Sequence, residues 1–93
     1  MEHAPLVAIG EVLRPYGLRG EVKVRPLTDR PDERFHQLRR CTLWQPDGDH
    51  REPCRIASSR FDGETAFVRM VGVDSPEAAR RLQGRLLAVE RDE

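Results

Sequence analysis

Short runs of alternating apolar and polar residues dominate this chain. The clearest run spans 20–27, where Val22 and Val24 alternate with charged residues. A period of two places successive side chains on opposite faces, which predicts a half-buried strand. Comparable patterns predict five further strands, at 6–13, 41–45, 51–60, 65–71 and 86–90.

Two of these segments carry finer predictions. In the first strand, Gly10 interrupts a mostly apolar run, which predicts a bend or a bulge. In the fourth, alternation places Cys54, Ile56 and Ser58 on one face of the sheet. The irregularity at Gly10 is of the kind that lets a small sheet bend into a barrel.

Turn and helix residues separate the strands. An Asp-Gly pair lies between strand-like runs at 46–49 and again at 61–64, which predicts two hairpin turns. Ser75 suits a helix N-cap, Pro76 the first helical position and Gly84 the residue after the last turn. We therefore predict a short helix in the segment 75–84.

A single helical turn is predicted after the second strand. Pro31 suits its first position, and Phe35 and Leu38 are its apolar anchors. Thr28 or Asp29 can accept hydrogen bonds from the free N–H groups at its start. This turn is too short to change the fold class.

Six strands and one short helix in 93 residues predict an all-β fold. A closed six-stranded antiparallel β-barrel is favoured over a sandwich, because closure removes exposed strand edges. We predict one β-barrel domain over residues 1–90.

The turn between the first two strands is the most unusual surface feature. Three residues that favour turns punctuate it: Pro15, Gly17 and Gly20. It presents four larger side chains: Arg14, Tyr16, Leu18 and Arg19. An exposed leucine between two arginines indicates a docking surface. Alternatively, Leu18 or Tyr16 folds back and caps the end of the barrel. Asp29, if it is not a helix cap, orients Arg19 or Arg14 in this loop.

Composition narrows the choice of partner. The 16 basic and 16 acidic residues give a formal net charge of zero. Nucleic-acid-binding domains usually carry a basic excess, so any RNA contact must come from a local patch. The chain shows neither a signal peptide nor an apolar run long enough to span a membrane, so we expect a cytoplasmic protein.

The residue types that enzymes and metal sites need are scattered. His3, His36 and His50 lie far apart, and the glycine-rich turn lacks the strand–loop–helix setting of a nucleotide loop. Cys41 and Cys54 lack zinc-site spacing and are predicted as buried thiols, which lie close together if their strands pair. With no set of nucleophile, base and oxyanion donors, we predict a binding module that is not an enzyme and has no cofactor or metal.

Several segments together resemble the N-terminal domain of the ribosome maturation factor RimM family. They are VAIGEV at 7–12, GLRGEVKV at 17–24, LTD at 27–29 with Phe35, and SPEAA at 75–79 with LQG at 82–84. The likeness covers nearly the whole chain, and 17–24 is its most specific part. One departure is Tyr16, where the family usually has histidine.

The resemblance implies a barrel like the β-barrel domain of translation factors. It implies an assembly factor that acts near the head of the maturing small ribosomal subunit and assists processing of the small-subunit ribosomal RNA. The implied protein partner is the head protein numbered nineteen in the small-subunit series. The family also has a C-terminal barrel of the photosynthetic-reaction-centre type. We expect residues 91–93 to begin the linker to that second barrel, which is absent from this chain.

The predicted partner-binding residues belong to the turn and to the strand after it. They are Arg14, Tyr16, Gly17, Leu18, Arg19, Gly20, Lys23, Arg25, Thr28 and Asp29. The arginines would pair with phosphate or acidic protein groups, and Tyr16 and Leu18 would supply apolar contact. We expect a monomeric ribosome-assembly module with possible ribosomal RNA contact and no membrane partner. The alternative is a general RNA-binding barrel, and a third hypothesis is an enzyme or flavin-binding barrel.

Overall fold

The computed structural model describes residues 5–91 and contains six strands and two short helices. They are β1 (Leu6–Pro15), β2 (Val22–Pro26), α1 (Pro31–His36), β3 (Arg40–Gln45), β4 (His50–Phe61), β5 (Ala66–Met70), α2 (Pro76–Arg80) and β6 (Leu86–Glu90). Every strand pair is antiparallel, and the order β1-β2-β5-β4-β3-β6 closes into a barrel. The predicted barrel is confirmed, but the stretch predicted as a single turn forms a second short helix.

The barrel interior is apolar, as the alternation along β2 predicts. Val22 and Val24 are completely buried, whereas Arg25 lies exposed on the outer wall. The other strands contribute further interior residues: Ile9, Val12, Cys41, Leu43, Ile56, Ala66, Val68, Met70 and Leu87. Removal of this apolar surface from water is the main force that stabilises the barrel, at about 25 cal/mol per Å².

The connections alternate between the two ends of the barrel, because neighbouring strands run in opposite directions. The β1–β2 turn and the segment that contains α2 therefore lie at one end. The β2–β3 connection, which contains α1, lies at the other. Phe35 and Leu38 join the buried core from the α1 segment, and Ala79 and Leu82 join it from the α2 segment.

Helix α2 begins as the sequence predicts and ends earlier. Ser75 is the N-cap, and its Oγ accepts a hydrogen bond from the Ala78 N–H at 3.2 Å. The helix ends at Arg80, so the predicted stop at Gly84 is wrong. The Gly84 N–H instead donates to the Val12 carbonyl at 2.8 Å and ties this segment to β1.

Helix α1 starts without a side-chain cap. Its N-cap residue is Arg30, and no side chain accepts a hydrogen bond from the N–H groups of the first turn. The Thr28 side chain makes a hydrogen bond just before the helix instead: its Oγ1 accepts from the N–H of the N-cap residue Arg30 at 3.1 Å. The prediction that Asp29 caps this helix is wrong.

Bulges bend the strands into the barrel. The β1–β6 register shifts between Ala8 and Gly10, so the predicted irregularity at Gly10 is confirmed. A Cβ on Gly10 would lie 2.4 Å from Val24 Cγ1, which shows why no side chain fits there. In β4 the register shifts between Ile56 and Ser58. Ser58 is consequently exposed, and the prediction that it shares a face with Ile56 is wrong.

The two cysteines are direct partners across β3 and β4. Cys41 is buried as predicted, but Cys54 is only half-buried. Both are free thiols. The strand pairing that would bring them together is therefore present.

The chain beyond β6 is described for one residue. The Arg91 N–H donates to the Pro5 carbonyl at 3.0 Å, next to the start of β1. The remaining residues of the predicted linker, 92–93, lie outside the described residues, as does His3. Within the span that the structure describes, no helix is long and apolar enough to cross a bilayer.

Candidate functional site

The turn between β1 and β2 projects from one end of the barrel. We call residues 14–20 the corner. The Tyr16 N–H donates to the Glu21 carbonyl at 2.7 Å, which closes the base of the loop. The side chains beyond that bond are therefore carried by a short, closed loop.

Gly20 seats the corner against the segment before α2. Its φ of +91° lies in the left-handed region, and a Cβ there would lie 2.1 Å from the Val73 carbonyl oxygen. Only glycine combines that backbone angle with so close an approach. Gly17 also has positive φ, +76°, but open space surrounds it.

The tip of the corner is exposed. Leu18 is 82% exposed, so it does not fold back to cap the barrel. Arg14 and Arg19 are exposed too, and their side chains make no hydrogen bond or ion pair with any described residue. Residues 16–19 and Glu21 line a shallow groove of about 330 Å³. An apolar tip between two uncompensated cations is suited to binding a partner.

Tyr16 folds back, but onto the outer wall of the barrel and not over its end. Its ring lies 4.8 Å from that of Phe67, centroid to centroid, with the planes tilted by 57°. Arg60 also covers the Phe67 ring, with its Cζ 4.1 Å from the ring centroid. The Arg60 guanidinium forms an ion pair with Glu21 at 3.6 Å. Lys23 Nζ lies 5.8 Å from the centroid of Tyr16.

Phe67 and Arg60 were missed as part of this surface. Phe67 is only 6% exposed, although it points away from the interior. The available signal was the alternation in β5, which places an aromatic residue on the face opposite Ala66 and Val68. A buried aromatic ring on an outer face needs a cover, and Tyr16 provides it.

The remaining predicted residues do not extend the corner. Arg25 forms an ion pair with Glu11 on the neighbouring strand, so its charge is already compensated within the barrel. Thr28 and Asp29 follow the far end of β2, and a five-residue strand is about 15 Å long. The corner with Lys23 is one surface, and Thr28 and Asp29 lie at the opposite end.

Asp29 therefore has neither of its predicted roles. It is exposed, it does not cap α1, and the strand length separates it from Arg14 and Arg19. The idea that it orients those arginines is wrong.

The corner offers binding groups only. Over the described part of the chain, no three His, Cys, Asp or Glu residues converge as a metal site would require. The groups it presents are guanidinium, ammonium, aromatic and aliphatic. Arginine binds carboxylates and phosphates with paired hydrogen bonds, and the apolar groups bind by exclusion of water.

Comparison with known proteins agrees with this architecture. A family described as the RimM N-terminal domain matches residues 7–93. The ribosome maturation factor RimM of Chlorobium luteolum is 40% identical over 84 residues, which cover 90% of this chain and 49% of that protein. RimM of Clostridium botulinum strain Hall is 34% identical over 86 residues, or 92% of this chain and 48% of that protein. The chain thus spans about half the length of these curated relatives.

A solved structure shows the same fold. The crystal structure of RimM from Pseudomonas aeruginosa superimposes with a TM-score of 0.82 at 32% sequence identity. The match covers 96% of this chain and 52% of the Pseudomonas chain. The family match, the sequence identities and the shared barrel together show that the chain belongs to the RimM family, as its N-terminal domain.

Proposed function

We propose that this barrel is a binding module of a ribosome maturation factor, which docks on the maturing small subunit near its head through the corner and Lys23. It assists processing of the small-subunit ribosomal RNA without catalysing a reaction itself, and it acts in the cytoplasm. The names of its relatives support the process: the curated proteins are ribosome maturation factors. The Pseudomonas structure is named for 16S ribosomal RNA processing.

The exposed corner is the observation that carries the proposal. Leu18 has no described role inside the barrel, and Gly20 holds its loop in one position. Arg14 and Arg19 flank it with charges that no described carboxylate compensates. Because the whole chain has a formal net charge of zero, attraction to an anionic partner must come from such a local group.

The partner class that we favour is a ribosomal protein of the subunit head, the one numbered nineteen. A mixed apolar and cationic tip is typical of protein interfaces, where arginine and aromatic residues are enriched. The relatives are about twice as long as this chain, so their other half is a second source of contacts.

Direct RNA binding is the second candidate, and one observation favours it. Arg40 and Arg55 lie directly opposite each other on β3 and β4, with Arg39 next to them. Like charges in facing positions destabilise a sheet. An anion such as an RNA phosphate would relieve that repulsion. Arg39 and Arg40 follow the α1 segment along the chain, at the start of β3.

Paired charge removals distinguish the two candidates. Arg14→Ala with Arg19→Ala, made in the full-length protein, should weaken co-sedimentation with small subunits by roughly tenfold or more, since charged hydrogen bonds contribute about 1.5–3 kcal/mol each. The matched variant, Arg40→Ala with Arg55→Ala, removes the same charge and should leave binding unchanged. Both pairs are exposed, so the thermal midpoint should stay nearly constant.

The opposite pattern would support direct RNA binding through Arg40 and Arg55. Loss of binding only in the Arg40 and Arg55 variant contradicts docking through the corner. Unaltered co-sedimentation in both variants excludes both surfaces.

A further inference from the structure

The two cysteines form a pair that the proposed docking does not use. Cys41 and Cys54 are direct cross-strand partners, and both are free thiols. Directly opposed residues of an antiparallel pair point to the same face of the sheet. The Cys54 thiol also donates a hydrogen bond to the Arg55 carbonyl at 3.8 Å.

The backbone geometry suits a disulfide. The Ile56 N–H donates to the Arg39 carbonyl at 2.8 Å, so residues 39 and 56 form a hydrogen-bonded pair. Such pairs alternate along antiparallel strands, so Cys41 and Cys54, two positions further on, form another. Their Cα atoms are then about 5.5 Å apart, within the range of about 4.4–6.8 Å that disulfides span. The Cβ atoms of a hydrogen-bonded pair lie toward the wide end of about 4.5–5.5 Å, whereas a disulfide needs about 3.5–4.5 Å, so bond formation requires a small local approach of the two strands.

The two thiols differ in access. Cys41 is buried among core residues, and Cys54 is half-buried. The last β5 residue, Met70, pairs with Ile56, so β4 no longer has β5 beside it at Cys54. An open groove of about 540 Å³ lies there, lined by both cysteines, of which Cys54 is the more exposed. A small reagent reaches Cys54 more readily than Cys41.

The two thiols also differ in acidity. The hydrogen bond from Cys41 lowers the pKa of Cys54, against the effects of burial and of the Glu52 charge. The same hydrogen bond, together with burial, raises the pKa of Cys41. The thiolate is the nucleophilic form of cysteine, which makes Cys54 the reactive member.

Charged residues lie near the pair. Three arginines are among the residues that line the groove at Cys54: Arg39, Arg40 and Arg55. Glu52 acts on Cys54 from β4, and Glu90 of β6 lines the neighbouring groove at Cys41.

We propose that Cys41 and Cys54 form a reversible redox site that reacts with hydroperoxides. The Cys54 thiolate attacks one peroxide oxygen, the O–O bond breaks, and the leaving hydroxide takes up a proton to become water. The Cys41 sulfur then attacks the resulting sulfenic acid at Cys54. The S–O bond breaks, and the leaving hydroxide takes the Cys41 proton. Two thiols are oxidised to one disulfide, and one peroxide is reduced to two waters.

Hydrogen peroxide is the probe that tests this site. The chain should lose about 2 Da on treatment, form one intrachain bond between Cys41 and Cys54, and return to its original mass with dithiothreitol. In the untreated chain, N-ethylmaleimide should modify Cys54 at least roughly tenfold faster than Cys41. The alkylation experiment needs no variant, so it does not depend on how a variant folds.

Two single variants separate the roles. Cys54→Ser should slow oxidation at least roughly tenfold, whereas Cys41→Ser should react at the native rate and stop at a sulfenic acid that dimedone traps. Circular dichroism checks that both are folded. Equal alkylation rates, oxidation of Cys54→Ser at the native rate, or disulfide-linked dimers in place of the intrachain bond would each overturn the proposal.

Discussion

Gly20 is the residue on which the position of the corner depends most directly. Its φ of +91° and the 2.1 Å between its virtual Cβ and the Val73 carbonyl oxygen are separate constraints. Gly17 has only the first of them, because nothing lies within 4 Å of its virtual Cβ. The two glycines therefore form a matched pair that separates backbone strain from steric exclusion.

We expect Gly20→Ala to destabilise the barrel more than Gly17→Ala. Positive φ costs an alanine roughly 1–2 kcal/mol, and this applies at both positions. Overpacking against Val73 adds about 1–3 kcal/mol at Gly20 alone. Urea denaturation of the two variants measures the difference. Equal losses would contradict the packing of the corner against the segment before α2.

At the scale of elements, the β1–β2 hairpin is fastened to β5 by an aromatic contact on the outer wall. Tyr16 stacks on Phe67, and Arg60 covers the other exposed part of that ring while pairing with Glu21. The hairpin thus contributes to stability through Tyr16 and presents Leu18 for binding. Stabilisation and binding thus depend on two side chains that lie only two positions apart in the sequence.

Tyr16→Ala should destabilise the barrel by about 1–2 kcal/mol, because it removes an aromatic pair and uncovers Phe67. Tyr16→Phe is the matched control. It keeps the ring and should change stability by less than about 0.5 kcal/mol. In the background of Phe67→Leu, the effect of Tyr16→Ala should shrink if the two rings interact. An undiminished effect would show that Tyr16 stabilises the hairpin by another route.

The β4–β5 turn depends on the ionised form of Asp62. Its Oδ1 accepts hydrogen bonds from the Thr65 N–H at 2.8 Å and the Glu64 N–H at 2.9 Å. These bonds hold the pKa of Asp62 below its ordinary value, and Arg60 nearby acts in the same direction. Since the folded-state pKa is lowered, the contribution is fully present above the ordinary carboxyl pKa and is lost as the pH falls through the folded value.

We expect the native chain to be more stable than Asp62→Asn at pH 6, with the difference shrinking at pH 3 and below. The amide can accept similar bonds but carries no charge, so its contribution is smaller and does not titrate. Thermal midpoints at several pH values measure the difference, and Asp47→Asn in the β3–β4 turn is the control. A difference that is independent of pH would contradict a role for the ionised carboxylate.

Local chemistry explains which elements could be predicted. Ser75 and Pro76 specify the start of α2 within two residues, and the alternation of Val22 and Val24 assigns the inner face of β2. Ser58 could not be placed, because the bulge after Ile56 adds a residue to one strand and reverses the alternation beyond it. The bulge bends β4 so that the sheet can close into a barrel. That closure depends on distant strands, so a short stretch of sequence does not reveal where the bulge lies.

The candidate site was predictable only where it is contiguous in sequence. The exposure of Leu18 follows from the turn residues around it. The contact between Tyr16 and Phe67 required the pairing of β2 with β5, which the sequence pattern leaves open. Thr28 and Asp29 were grouped with the corner on the idea that Asp29 orients Arg19 or Arg14. Strand direction argues against that grouping, since β2 runs away from the corner.

At the scale of the whole molecule, the closed barrel and the zero net charge together restrict how a partner can bind. A closed barrel has no free edge on which another strand could add, so a partner must bind side chains or loops. A formal net charge of zero provides no long-range attraction to ribosomal RNA. Binding must then depend on local groups of cations, such as Arg14 and Arg19 at the corner, and the number of them that contact phosphates sets a limit on its salt dependence.

That limit leads to a prediction for the full-length protein. Each phosphate contact contributes about −0.7 to −0.9 to the slope of log K against log salt concentration. If Arg14 and Arg19 bind phosphates, replacing both with alanine should make the slope shallower by roughly 1.5–2. If they bind acidic groups of a head protein, the affinity should fall with a much smaller change of slope, because no condensed counterions are released. Comparing native and variant slopes cancels every contact outside the corner. An unchanged slope together with an unchanged affinity would show that the corner takes no part in docking.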